Sequence, residues 1–483
     1  MADAEPDVKV IRHADWLVAW DTGSQRHAYL RDADLAFQGD TIRFVGQGYD
    51  GPADEVIDGR GRLVMPGLVN IHSHPSSEPM RKGITDETRS PGFWHSSLYE
   101  HLPVFDVDRP EDMQACLKVA LAELLLSGVT TLVDLWFDYD GWLDTLADSG
   151  MRVCAAPMFR DARWSTRDGH SLTYDWAPEQ GRAGFETAMR VIDRANQHPS
   201  GRLSGMVAPA QVDTCTADLL RDAAAFARAR GLPFQIHAAQ SPSEFHEMVR
   251  RHGKTPIQWL DALGVLNERA IIGHAIFLDH HPWLHWSTRL DMDLLRDTGT
   301  SVAHCPTVFQ RRGIALRTLG GYLRHGINVG IGTDTYPHNF LDEMRNAATA
   351  ARVIGETVDD LTTADLLGAA TVGGAGALCR DDIGALSAGR KADFVLVDLT
   401  HPAMRPVRDP LRSLLYVAAE RAVRDVFVGG RQVVRDGRVL AIDLDGALDR
   451  LQEVQVRALE RVPERDWAGR SAAQLAPLSL PEL

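Results

Sequence analysis

Asn70-Ile71-His72-Ser73-His74-Pro75 closes an apolar run that starts at Leu63. Residues two apart in an extended strand share a face, so His72 and His74 point the same way. Three more apolar runs end in residues of the same kind: Phe234-Gln-Ile-His237, Ile271-Ile-Gly-His274 and Val329-Gly-Ile-Gly-Thr-Asp334. A core histidine accounts for any one of these, but not for four strand ends that each present a ligand-type side chain. Histidines with one carboxylate suit Zn²⁺, and Fe²⁺, Co²⁺ and Mn²⁺ also accept such donors. An ion so held lowers the pKa of a water to ~7. Asp334 is suited to bind the ion and accept the water's proton. His274 is suited to hold the nucleophile, or to polarise the electrophile, by hydrogen bonding.

Such residues need a scaffold that brings strand ends together. Strand-like runs fall at 68–72, 129–135, 152–157, 203–208, 233–237, 269–273, 300–304 and 327–332. Helical patterns lie between them at 111–126, 181–196, 216–230, 243–252 and 341–353. Eight strands alternating with helices imply parallel βα units, and the count favours a (β/α)8 TIM barrel over a doubly wound sheet. Barrel active sites sit at the C-terminal ends of the strands, where all of the candidate residues lie. Both chain ends have a different texture. Asp34–Phe37 and Ile42–Val45 read as a hairpin about Gly39-Asp40, and Gly429-Gly430 suits another tight turn. The expected organisation is a small composite β-sandwich domain built from residues 1–65 and 384–440. It flanks a barrel at 66–383, and residues 441–483 form a terminal helix and tail.

Composition narrows the function. The chain has 483 residues, a formal net charge of −15 and 44% hydrophobic residues. That charge argues against nucleic acid or an anionic membrane as partner. No apolar run reaches the ~18 residues of a membrane span. The first ten residues are acidic and lack an apolar core, so no signal peptide is expected. Five scattered cysteines without a Cys-x-x-Cys spacing read as reduced thiols, pointing to the cytoplasm. No Gly-x-Ser-x-Gly elbow is present, against a serine hydrolase. Gly373–Gly376 follows a helical pattern rather than a strand, which argues against a dinucleotide site.

Several motifs resemble one family. Val64–His74, Ile236-His237, Ile272-Gly-His274, Ala303-His-Cys-Pro-Thr307, Gly330-Ile-Gly-Thr-Asp334 and Ile383–Asp393 are similar, in order, to motifs of the amidohydrolase superfamily, and Glu123–Thr131 looks like its second barrel strand. The chain resembles the branch of cytosine and guanine deaminases and triazine hydrolases. The resemblance implies His72, His74, His237 and Asp334 as ligands of one metal ion, with His274 beside the hydrolytic water. Binuclear members use a carbamylated lysine on the fourth strand. This chain has no lysine between Lys118 and Lys254, which points to a mononuclear site. A homo-oligomer is a further expectation from the family.

The substrate-facing motifs depart from that branch. His237-Ala-Ala-Gln240 stands where His-x-x-Glu is usual, and glutamine cannot titrate. Ala208-Pro-Ala-Gln211 replaces Ala-Pro-His, and Thr307-Val-Phe replaces Thr-Ser-Asn. Gln240, Gln211, His338, Glu78 and Trp94 are candidate substrate contacts. Glu78, Glu100, His95 and His101 follow the first strand on one long loop, and each is a candidate for the missing acid. Trp136, Trp164 and Phe309 on rim loops suit an apolar or aromatic substrate. The expected activity is metal-dependent hydrolysis at an sp² carbon of a small neutral or heteroaromatic molecule. The alternatives are a purine, pyrimidine, pterin or triazine aminohydrolase, and a non-catalytic relative. A relative that had abandoned catalysis is expected to lose ligands, and this chain keeps them all.

Overall fold

The computed structural model describes residues 7–316 and 319–482. Residues 1–6, part of the stretch read for a leader, lie outside them, as does Leu483 at the tip of the tail.

Barrel strands follow in chain order at Leu68–Ser73, Val129–Trp136, Arg152–Phe159, Phe234–Ala238, Ala270–His274, Ser301–His304 and Val329–Ile331. The fourth position, between Phe159 and Phe234, is split into Leu203–Gly205 and Ala208–Pro209. The first four positions pair in order, and so do the last four, all in parallel. Parallel bridges Val207–Phe234 and Gln211–His237 join the fourth to the fifth, and Ser73–Asp334 joins the eighth back to the first. The ring is therefore closed, as the strand count implies. The first and third strands are buried along their whole length, as expected of strands covered on both faces. Val69, Ile71, Val133, Ala156, Met206 and Ile271 belong to the cluster that fills the interior.

The eighth strand must approach the first closely. A Cβ on Gly332 would stand 2.6 Å from His72 Cβ, so only glycine fits between Ile331 and the Thr333-Asp334 corner.

The helices start and stop where local chemistry dictates. Ser241 accepts a hydrogen bond from the Glu244 amide and precedes Pro242, opening helix Pro242–His252; Gly253 closes it with φ 64°. Thr216 caps helix Ala217–Arg230 and Gly231 ends it in the same left-handed conformation. The structure adds helices too short to show a period in sequence, among them Trp142–Asp148, Pro256–Ala262 and Asp291–Asp297. It also adds a hairpin, Ala162–Ser165 with Thr173–Trp176, after the third strand.

The two chain ends pair into one nine-stranded sheet. Phe394–Asp398 runs antiparallel to Arg62–Pro66, which lies parallel to Val8–Asp21. Phe37 from the N-terminal part packs with Phe394 and Phe427 from the C-terminal part, at ring distances of 5.2 and 5.9 Å. Gly429 and Gly430, at φ 55° and 71°, make the tight turn read from the sequence. Helix Leu444–Glu460 then docks on Pro110–Leu126, where Arg450 and Arg457 both reach Asp112.

One buried ion pair joins the sheet to the barrel. Arg152 opens the third barrel strand, and its Nε and Nη2 donate to the two carboxylate oxygens of Asp393 at 3.0 and 3.1 Å. Arg152→Ala leaves a buried carboxylate without its cation. It should cost ~3–5 kcal/mol, read as a lower urea midpoint at unchanged slope.

Candidate active site

Each candidate ligand ends a barrel strand or follows one directly, and each imidazole is anchored on its far side. His72 Nδ1 meets Gln235 Oε1 at 2.5 Å, His74 Nδ1 meets the Leu135 carbonyl at 2.8 Å, and His237 Nδ1 meets the Ala210 carbonyl at 2.6 Å. Gln235 is itself oriented, because its Nε2 donates to the Ile71 carbonyl at 3.0 Å. These oxygens accept, so the proton of each neutral ring sits on Nδ1 and the Nε2 lone pair faces inward.

The inward atoms converge. His74 Nε2 lies 3.1 Å from His237 Nε2, and Asp334 Oδ1 lies 3.3 Å from the Nε2 of both His72 and His74. Ligand atoms of His72, His237, His274 and Asp334 all fall within 4.8 Å of one another. His72 Nε2 is buried and has no hydrogen-bond partner. Lone pairs and a carboxylate oxygen at such distances, with no proton between them, repel unless a cation sits among them. The donor set fits a divalent ion.

The electrostatics favour an anionic carboxylate: burial opposes a charged His74, but Asp334 outweighs it and raises that ring above the ordinary imidazole value. Burial acts against ionised Asp334, but His72 and His74 outweigh it and hold the carboxyl well below the usual range. Burial, and then the crowd of neighbouring imidazoles, keeps His237 far below the ordinary imidazole value. Burial also pulls His274 down to about 3. Its φ of 82° turns the chain sharply at the strand end, and the ring stands edge-on to Phe309 at 4.8 Å. Asp334 is likewise left-handed, at φ 58°.

A cavity of about 220 Å³ opens over these residues. His74, His237, His274 and Asp334 line it, as do Gln211, Gln240 and Glu78 from the candidate contacts. Trp136, Trp164 and Phe309 supply aromatic wall. Other expectations fall elsewhere. Trp94 is not a cavity residue; it stands 44% exposed on the preceding loop. His338 is wholly buried outside the cavity wall, with its backbone amide toward Glu123. Glu100 also lies off the cavity, because its carboxylate is taken by Ser90, Trp467 and Arg470. His304 is buried on the seventh strand, and burial lowers it to about 3.

Sequence reasoning missed the anchors and the arginines. Gln235, two residues before His237, carried a usable signal: it alternates with His237 on the same face of one strand. Arg160, Arg311 and Arg312 on the cavity wall carried none, since arginine after a strand is ordinary surface composition.

Gln235→Leu removes the acceptor that fixes the His72 ring, together with its donor to the Ile71 carbonyl. Metal affinity, read by competition with a chromogenic chelator, should fall about 10–100-fold. Unchanged affinity would remove Gln235 from the site.

Comparison with known proteins places this geometry. The amidohydrolase family model matches residues 63–433. A 5-methylthioadenosine/S-adenosylhomocysteine deaminase from Natronomonas pharaonis is 30% identical over 90% of this chain and 96% of its own. A 5'-deoxyadenosine deaminase from Methanosphaera stadtmanae is 27% identical over 82% of this chain and 88% of its own. Among solved structures, an adenosine deaminase from Xanthomonas campestris with bound zinc superposes with a TM-score of 0.81 at 25% identity, covering 94% of this chain and 99% of that one. An atrazine chlorohydrolase from Arthrobacter aurescens with zinc shares the fold at a TM-score of 0.76 and 24% identity, covering 92% and 100%. The chain belongs to the amidohydrolase family and is a metal-dependent hydrolase.

Proposed function

We propose that this hydrolase removes an amino group from a heteroaromatic ring, with Zn²⁺ as its ion. The observation that carries this reading is the convergence of His72, His74, His237 and Asp334 at the wall of an aromatic-lined cavity. The deaminase relatives and the zinc-bound neighbour support the amine leaving group and the metal. When bound, the ion supplies Lewis acidity and lowers the pKa of a water to ~7.

The chain's own residues do the rest. Asp334 accepts the proton of the attacking water as the new C–O bond forms at the ring carbon. His274, kept neutral by burial, is the hydrogen-bonding partner at the reacting oxygen. The C–N bond then breaks, and the departing nitrogen needs that proton to leave as ammonia. Gln240 cannot carry it. Glu78 stands on the same cavity wall, whereas Glu100 is committed to the Arg470 cluster. Glu78, raised above the usual carboxylate range by burial, therefore takes the acid role: it receives the proton from Asp334 and passes it to the departing nitrogen.

Gln240 supports a second reading, in which the leaving group departs as an anion and needs no proton. Halide release from a chlorinated triazine separates the two. The chain is further read as cytoplasmic, in keeping with five free cysteines, four of them buried, and as a homo-oligomer by family likeness.

The test is ammonia release by the metal-loaded chain from purines, pyrimidines, pterins and triazines. Asp334→Ala, with metal content checked, should lower turnover by ~100-fold or more. Undiminished turnover would sink the role of Asp334. Glu78→Gln should cut kcat for amine leaving groups by ~100-fold and spare halide release. Equal losses for both would return Glu78 to a binding role.

A further inference from the structure

Four arginines line the cavity: Arg81, Arg160, Arg311 and Arg312. Two of them have carboxyl partners. Arg81 pairs with Glu78 and Asp106, and Arg311 pairs with Asp86. The other two have no carboxylate within ion-pair distance among the described residues. Arg312 spends its donors on the Ser97 hydroxyl and the Val308 carbonyl. Arg160 makes no hydrogen bond at all among the described residues; its guanidinium lies 5.0 Å from the centre of the Phe137 ring.

Both side chains are only partly buried, so each has lost part of its hydration with no ion pair in return and stays open to an anion that enters the cavity. Burial, and then the like charge of Arg163, pull Arg160 down to about 10. Arg312 is lowered by burial and then by Arg311. Arginine is the side chain best shaped to grip a carboxylate or phosphate, through parallel N–H donors. The context adds weight. The chain carries a net charge of −15, so two arginines left without a carboxylate partner on this cavity wall are not a by-product of composition.

We propose that the substrate of this site carries an anionic oxygen group, a carboxylate or a phosphate, and that Arg160 binds it, with Arg312 adding to the attracting field. This rests on the hydrolase reading above and names the class of molecule that the cavity selects. The reacting ring faces the metal ligands, and the anionic group answers the unpaired arginine on the same wall. Arg160 is then a specificity residue, acting on binding rather than on the chemical step.

The experiment uses the metal-loaded full chain and matched probes that differ in one group: adenosine, its monophosphate and its carboxylate analogue, then pterin and its carboxylate. Ammonia release should favour an anionic member by about tenfold or more in kcat/KM, and the arm that wins separates carboxylate from phosphate. In Arg160→Gln that preference should collapse toward one, through KM rather than kcat, and Arg160→Lys should restore part of it. A preference for the neutral members, or a preference that Arg160→Gln leaves intact, overturns the inference while the deaminase reading stands. If no probe releases ammonia, tryptophan fluorescence from Trp136 and Trp164 reports binding of benzoate and inorganic phosphate. Binding that Arg160→Gln abolishes supports the anion site and sinks the deaminase reading instead. Binding of neither probe, or binding that the variant leaves unchanged, overturns the anion site.

Discussion

Inward-facing imidazole nitrogens and a carboxylate oxygen are held 3.1–3.3 Å apart, and the rest of the structure serves that crowding. Acceptors at this distance repel, so the arrangement needs both rigid supports and a cation. The supports are visible. Each ring is gripped on its outer nitrogen by an oxygen from another part of the barrel: Gln235, Leu135 and Ala210. These anchors span the second, fourth and fifth strand positions, so the site exists only once the ring of strands is closed. The bridges that close it, Ser73–Asp334 and Gln211–His237, involve a candidate ligand in each case. Binding of an ion and completion of the barrel rim are thus thermodynamically linked.

The same constraint explains where the backbone is strained. Ala239, His274, Ala275 and Asp334 all adopt positive φ just where strands end. A non-glycine residue there costs ~1–3 kcal/mol and persists only where the surroundings over-determine it. Turning the chain at these points aims side chains into the cavity instead of along the strand. Beneath Gln240 the support is a second carboxyl, Glu244. It accepts from the Ala239 amide at 2.5 Å, and burial and then Asp213 push it well above the usual carboxylate range. The loop that carries Gln240 is therefore built on a buried acid, not left to solvent.

The cavity walls show a different economy. Loop 90–106 supplies part of the wall and is tied down from two sides: by Arg312 on Ser97, and by Arg470 and Trp467 on Glu100. Glu100 has an anchoring role that uses up its charge. Glu78 remains at the cavity, beside Arg81 and near Asp334. The metal-binding half of the site keeps the family pattern, while the substrate-facing half has glutamines, aromatic rings and arginines in its place.

The sequence by itself determined the barrel and the residues that converge at its strand ends. Parallel strands buried on both faces are written as continuous apolar runs, and a ligand at a strand end is written as a histidine or aspartate closing such a run. Both signals are local, so His72, His74, His237, His274 and Asp334 were legible without coordinates. Pairing of the two chain ends was legible for the same reason, since their short strands and Gly429-Gly430 turn have a texture the middle lacks. Tertiary structure alone decided what surrounds the ligands. Glu78 and Glu100 sit on one loop and look alike in sequence, yet Arg470, some 370 positions away, takes one of them. Trp94 and Trp164 both read as rim aromatics, but only Trp164 is held on the cavity, where its Nε1 donates to Asp213 at 2.8 Å. Arg160 was invisible because what distinguishes it is a missing partner. Whether a charge is paired depends on which distant residues the fold brings beside it, and no spacing along the chain records that.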